Sequence, residues 1–331
     1  MRRRLYHAAT GRRGQVVGRP EVLEAYPELE SVWEAADQQF PIGITRSWWE
    51  RMRQDPSGAL ARQALPAPQE LTAHEGDLAD PVGDALRSPV SWVVHKYPDR
   101  VLWLVTKRCH LYCRYCFRRG HDPESREDPT PEAWERAVHY IRESGAREVI
   151  LSGGDPLAIS DARLDTALQA IKTPSLRRVR IHTRAPITYP RRVTAELVDI
   201  LKAHRPLWVV VHVNHPRELN PDVDEALARL TDAGLPVLNQ AVLLKGVNDD
   251  PAVLAELCEA LVDRHVRPYH LHHTDAAVGN ATFRVSVARG LAIVEALRTQ
   301  VSGLAFPRYV IDPPDGQGKR DVDAYVRQMR V

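Results

Sequence analysis

Three of the four cysteines, Cys109, Cys113 and Cys116, fall within eight positions of the segment TKRCHLYCRYCFRRG, which is ligand spacing and not a disulfide framework. A structural zinc site would draw a fourth Cys or His from close by, and its cysteines usually come as two separated pairs. Three thiolates in one loop suit a cubane iron–sulfur cluster that leaves one iron open to a small ligand; a zinc or redox cysteine cluster is the alternative. Cys258 lies in the apolar helical window LAELCEALV and reads as a buried core thiol.

Other chemistry-bearing residues follow at intervals. Ser152, Gly153, Gly154 and Asp155 end the apolar run EVIL, where glycines let backbone approach a ligand closely or simply make a turn. His212 and Asn214, in HVNH, are expected to face the same site. His270 and His272 share one strand face by the two-residue period while His273 points the other way, and they read as core or pocket histidines, not metal ligands. Lys319 sits in the glycine loop of AFPRYVIDPPDGQGKRDV. This is not a P-loop, because Pro313 and Arg320 stand where glycine and Ser or Thr are required, and a lone loop lysine is ordinarily solvated.

The elements that must position these residues are legible from Arg100 onward. Short β-branched runs (VLWLVT, EVILSGG, RRVRIHT, LWVVVHVN, PVLNQAVLL, RPYHLHH) alternate with amphipathic helical windows, giving six strand–helix units. A run such as LWVVV, apolar on both faces, implies a parallel sheet covered on both sides. The expected fold is α/β, a (β/α) barrel of the TIM type that is partial, with functional residues just past the C-terminal ends of the strands. Residues 1–95 show short amphipathic stretches broken by proline-rich joints and no strand alternation, so they are expected to form a helical cap. The division expected is 1–95 cap, 96–305 barrel and 306–331 C-terminal strand and lysine loop.

The totals narrow the partners. Forty-five Lys and Arg against 43 Asp and Glu make no field for nucleic acid or membrane, and no apolar run spans a bilayer, so a small molecule is the expected ligand. The first 14 residues are rich in arginine and lack acids, as an organelle transit segment would, but the few cysteines and the missing signal-peptide core favour the reducing cytoplasm.

The cysteine loop, with Tyr115 before its last cysteine, resembles that of the radical S-adenosylmethionine (SAM) superfamily. The stretches HKYPDRVLWLVT, CRYCFRR, LSGGDPL, RVRIHTR, HVNHPRE, LNQAVLLKGVND, RPYHLHHTD, TFRVSVARG and the Gly-x-Gly-Lys tail resemble, in order, the lysine 2,3-aminomutase family. The resemblance implies a [4Fe–4S] cluster on Cys109, Cys113 and Cys116, SAM against the Ser152–Asp155 turn and His212, and pyridoxal 5′-phosphate (PLP) on Lys319 as Schiff-base residue. It makes Arg100 and Lys96 phosphate partners, with a surface ion pair as the bland alternative, and Gln240 a polar cofactor contact.

It also assigns Arg118 to the substrate carboxylate, with Arg119 facing solvent, and Asp275 and Asp312 to a distal ammonium. Two buried carboxylates repel and retain a proton unless a cation lies between them, so the pair points to lysine or arginine and away from glutamate; turn-capping is the structural alternative. The implied activity is the 1,2-amino shift from L-lysine to β-lysine, driven by a reduced flavodoxin or ferredoxin-type donor. A radical SAM enzyme without PLP and a non-enzymatic iron–sulfur protein are the competing classes. The chain runs 12 residues past Lys319, which resembles the short elongation-factor-modifying type and leaves a homo-oligomer open.

Overall fold

The computed structural model describes residues 15–120 and 128–329; the first 14 residues, on which the transit-segment alternative rests, lie outside them. Nine strands form one sheet in sequence order: β1 (Val93–Tyr97), β2 (Arg100–Thr106), β3 (Glu148–Gly153), β4 (Arg178–Thr183), β5 (Leu207–Val211), β6 (Val237–Val242), β7 (Val266–His272), β8 (Arg308–Ile311) and β9 (Arg320–Asp321). β2 through β8 run parallel, as the alternation predicts. β1 and β9 flank them antiparallel, and among the described residues no ladder pairs these two edge strands, so the sheet does not close on itself.

Among the described residues four α-helices precede the sheet: α1 (Arg19–Ala25), α2 (Glu30–Gln39), α3 (Arg46–Gln54) and α4 (Ala59–Ala64). The crossovers carry α5 (Pro131–Glu143), α6 (Asp161–Ala170), α7 (Ala195–Ala203), α8 (Pro221–Asp232), α9 (Pro251–Val262) and α10 (Val287–Arg298). Each of these six helices starts at a Ser, Thr, Asn or Asp whose side chain accepts a backbone N–H of the first turn, and α5, α8 and α9 add proline there. That chemistry fixes where each strand's exit loop ends. A final helix, α11 (Val322–Met329), follows β9.

The strands' period of two separates two environments. Val101, Trp103, Val105, Val149, Leu151, Val179, Ile181, Val209 and Val211 pack outward into the main core, together with Trp33, Trp48, Trp49 and Leu60 of the N-terminal helices. A closed barrel fills its interior with layers of branched side chains. Here the opposite face stays hollow, and polar side chains join apolar ones on it: Arg100, Ile150, Ser152, Arg180, His182, Gln240, His270 and His272 line a cavity. β5 departs from the expectation that both its faces are covered. Trp208 on the inner face is 36% exposed and lines the cavity, because an open barrel has no interior layer to seal it. Among the described residues no helix is long and apolar enough to cross a membrane.

Candidate active site

The cavity holds about 710 Å³ and is lined by fifteen of the residues singled out in the sequence, namely every one given a cluster, cofactor or substrate role by the resemblance: Lys96, Arg100, Cys109, Cys113, Cys116, Arg118, Ser152, Gly153, Gly154, Asp155, His212, Gln240, Asp275, Asp312 and Lys319. The cysteine loop leaves β2 and is pinned to the end of β3 by Gly154 N donating to Thr106 O and Asp155 N to Arg108 O, both at 2.7 Å. A Cβ on Gly153, at φ +130°, would stand 2.0 Å from Thr106 O, and one on Gly154 2.3 Å from Arg108 O. The glycines therefore bring the two strand ends together as well as lining the cavity. Asp155 is committed to the scaffold, since its carboxylate accepts from Leu157 N, Thr183 Oγ1 and Arg184 N.

A buried polar layer braces the loop from behind. Arg114 forms a forked pair with Glu70, and Arg119 donates to Glu70, Arg114 O and Gly279 O. Arg119 is thus buried, correcting the solvent-facing expectation: Glu70, supplied by the N-terminal segment, compensates its charge. Arg184 spans the site's floor, donating to Cys113 Sγ at 2.7 Å, Gln63 Oε1 at 2.7 Å and Glu218 Oε2 at 2.9 Å. Asn214, expected to face a cofactor, is instead spent on Tyr115 Oη, Gln63 Oε1 and Val242 N.

Across the cavity, Lys319 follows Gly318, whose φ of +90° only glycine accepts readily and whose Cβ would fall 2.2 Å from Tyr97 Oη. That closeness lets Lys319 N donate to Tyr97 Oη at 2.6 Å. The ammonium lies 3.8 Å from Asp312 Oδ2, while Lys96 Nζ lies 3.6 Å from Asp312 Oδ1 and 2.8 Å from Asp84 Oδ1. Arg118 donates twice to Asp84 Oδ2, at 3.2 and 3.0 Å. Burial opposes the Asp84 charge, but Arg118 and Lys96 outweigh it and hold the carboxyl at about 2. Burial and then Asp312 push Asp275 up to about 7. Four imidazoles, His182, His212, His270 and His272, stand between the two ends, kept neutral chiefly by burial, with His212 and His270 lowered to about 3.

The family model described as Radical SAM superfamily matches residues 103–258. An Aquifex aeolicus protein provisionally named an L-lysine 2,3-aminomutase is 36% identical over 303 residues, 90% of this chain and 81% of that protein. The chain belongs to the lysine 2,3-aminomutase family. Within that family it is 39% identical to the L-lysine 2,3-aminomutase of Methanococcus maripaludis, over 85% of this chain and 66% of the relative. It is 36% identical to the glutamate 2,3-aminomutase of Clostridioides difficile, over 77% of this chain and 61% of the relative. The chain thus spans somewhat under two thirds of the length of these last two.

The family's cofactor set is a [4Fe–4S] cluster, SAM and PLP, and the cavity of this aminomutase-family chain fits it. Burial raises the Cys109 and Cys116 thiols, so they stay protonated until a metal takes their charge. Among the described residues no three Cys, His, Asp or Glu gather where one metal ion could sit. All three thiols line the cavity from one loop, the donor set that a cubane with one open iron would take. His182 Nε2, His270 Nδ1, His272 Nε2 and Asp312 Oδ1 are buried without a hydrogen bond inside the protein, as atoms meant for a polar ligand would be.

Sequence reading missed Asp84 and the Arg184–Gln63–Glu218 group. Asp84 lies in DPVGD, which reads as a joint, and Gln63 and Glu218 reach Arg184 only through the tertiary fold. HTR at the end of β4 was the one available signal.

Proposed function

We propose that this protein is a radical SAM, PLP-dependent amino acid 2,3-aminomutase that converts L-lysine to β-lysine. What carries the reading is the convergence of three cysteine thiols, a glycine-loop lysine and a carboxylate pair on one cavity. In this reading Cys109, Cys113 and Cys116 hold the cluster, the Ser152–Asp155 turn and His212 border SAM, and Lys319 holds PLP with Arg100 at its phosphate. With those groups bound, the cluster and SAM would supply radical chemistry at Cβ of the substrate, and PLP would supply the means for the amino shift.

The chain's own residues select and hold the substrate. Arg118, whose Nε and Nη2 are held by Asp84, has its Nη1 edge left for the α-carboxylate, and Asp275 and Asp312 take the distal ammonium. A cation between the two acids relieves the repulsion that raises Asp275, so a lysine side chain stabilises the pocket where a glutamate side chain would add a third charge of the same sign. Within the described residues, the 96–305 part supplies the barrel, the part from 306 brings the lysine loop, and the helices of the 1–95 part close the cluster end against water, which would otherwise quench a primary radical. A reduced flavodoxin or ferredoxin-type protein in the cytoplasm supplies the electron.

The test is anaerobic incubation of cluster-loaded, reduced protein with SAM, PLP and L-lysine, L-arginine or L-glutamate, followed by mass spectrometry. β-Lysine as the sole β-amino acid is the expected result. Formation of 5′-deoxyadenosine with no β-isomer would sink the substrate assignment, and β-glutamate would reverse the role given to the acids.

A further inference from the structure

We propose that Asp84 determines substrate specificity by neutralising Lys96, which, with Lys319 engaged by PLP, leaves Asp312 free to take the cationic end of the substrate side chain. The inference rests on the reading above that Asp275 and Asp312 hold such a cation.

Lys96 is the shared neighbour of two acids. Its ammonium lies 2.8 Å from Asp84 Oδ1 and 3.6 Å from Asp312 Oδ1, and its side chain is only 7% exposed. A second donor goes to Val82 O at 2.7 Å. Asp312 Oδ1, by contrast, is buried and makes no hydrogen bond within the protein, so Lys96 leaves it unsatisfied. Asp84 is placed to win this competition. Asp80 accepts its backbone N–H at 2.9 Å. The preceding Gly83 sits so tightly against the 314–316 loop that a Cβ there would stand 2.5 Å from Pro314 O. Arg118 anchors the other carboxylate oxygen.

A buried ammonium cannot remain unpaired. Remove the Asp84 charge and the nearest remaining anion is Asp312, so Lys96 closes on it. The pocket then carries one more net positive charge, with Asp275 alone facing the substrate's distal end. That arrangement tolerates an uncharged side chain and disfavours a cationic one.

The experiment measures dissociation constants for L-lysine and for the uncharged L-norleucine by equilibrium dialysis. It uses PLP-loaded protein without SAM, so that no turnover occurs, with PLP occupancy checked by absorbance. Wild type prefers L-lysine, and Asp84→Asn narrows that preference by about tenfold, the effect of displacing one close ion pair in a partly solvated cavity. Lys96→Met keeps the preference, and the double variant D84N/K96M returns to the Lys96→Met value, because with no ammonium to redirect, Asp84 loses its role. A folded Asp84→Asn protein with unchanged preference, or a double variant that stays narrowed, overturns the inference alone. If Asp84→Asn does not fold, the comparison of Lys96→Met with the double variant decides: equal preferences support the inference and a lower one in the double variant overturns it. A wild type with no preference for L-lysine overturns the lysine reading and this inference with it.

Discussion

Burial and the neighbouring Asp312 push the Asp275 carboxyl up to about 7, against an ordinary value near 4, so the cofactor-free protein holds a proton there that the unfolded chain would release. The sign follows from which state binds more protons. Between about pH 4 and 7 the folded state does, so this group's stabilisation is complete below the unfolded pKa and is lost as pH rises through the folded one. Binding of a side-chain cation runs the other way, since the acid must ionise to pair with it. L-Lysine binding should therefore weaken by about tenfold for each pH unit below 7, and Asp275→Asn should flatten the profile. Binding titrations from pH 5.5 to 8.5 test this; a flat wild-type profile sinks it. Arg184 presents a different residue-scale problem. Its guanidinium is enclosed by Cys113, Gln63 and Glu218, so Arg184→Met strands the buried Glu218 carboxylate, and loss of about 3–5 kcal/mol is expected. Iron retained per chain should fall with it, and an unchanged urea midpoint together with full iron content would refute the brace.

Elements decide whether Lys319 reaches the cavity. Gly318 has φ +90° and meets Tyr97 at β1's end, so Gly318→Ala must push the loop off Tyr97 Oη and break the bond from Lys319 N. The expected outcome is a folded protein whose near-400 nm PLP band is lost or weakened at PLP concentrations that saturate wild type; a wild-type band would show the loop tolerates the shift. The elements themselves were unevenly legible. β2 to β7 announce themselves by β-branched runs between amphipathic windows, because burial of an outer face imposes period two. β1 and β9 do not: VVHKY opens with two adjacent buried valines and RD has only two residues, so neither shows apolar alternation, and they pair on the edges that β2 and β8 offer. The site residues were legible through motifs, yet their pairings were not. Arg119 looks like a surface arginine until Glu70 arrives from the N-terminal segment, and Asp84 is an ordinary joint residue until the 80–88 and 314–318 loops dock.

The whole molecule is an open barrel whose two ends are closed by different parts of the chain. Near the cysteines, the N-terminal helices share the main core, and Trp48, fully buried, also lies 4.8 Å from the Arg184 guanidinium. At the other edge a second, smaller core joins Leu243, Leu271, Ile293, Leu297 and Tyr309 to Val322 at the start of α11. Lys319 stands between β8 and β9, so the pairing of Val310 with Asp321 and Ile311 with Arg320 fixes where its side chain can go. Removing the chain from Val322 onward should leave the cysteine end intact, since that core is built without α11. It should nevertheless free β9, whose two residues cannot hold a ladder alone. The truncated protein is expected to load iron like wild type, to lose PLP retention, and to be cut by protease first between residues 312 and 321. Equal loss of iron and PLP would mean that the two cores unfold as one unit and that the lysine loop has no separate anchor.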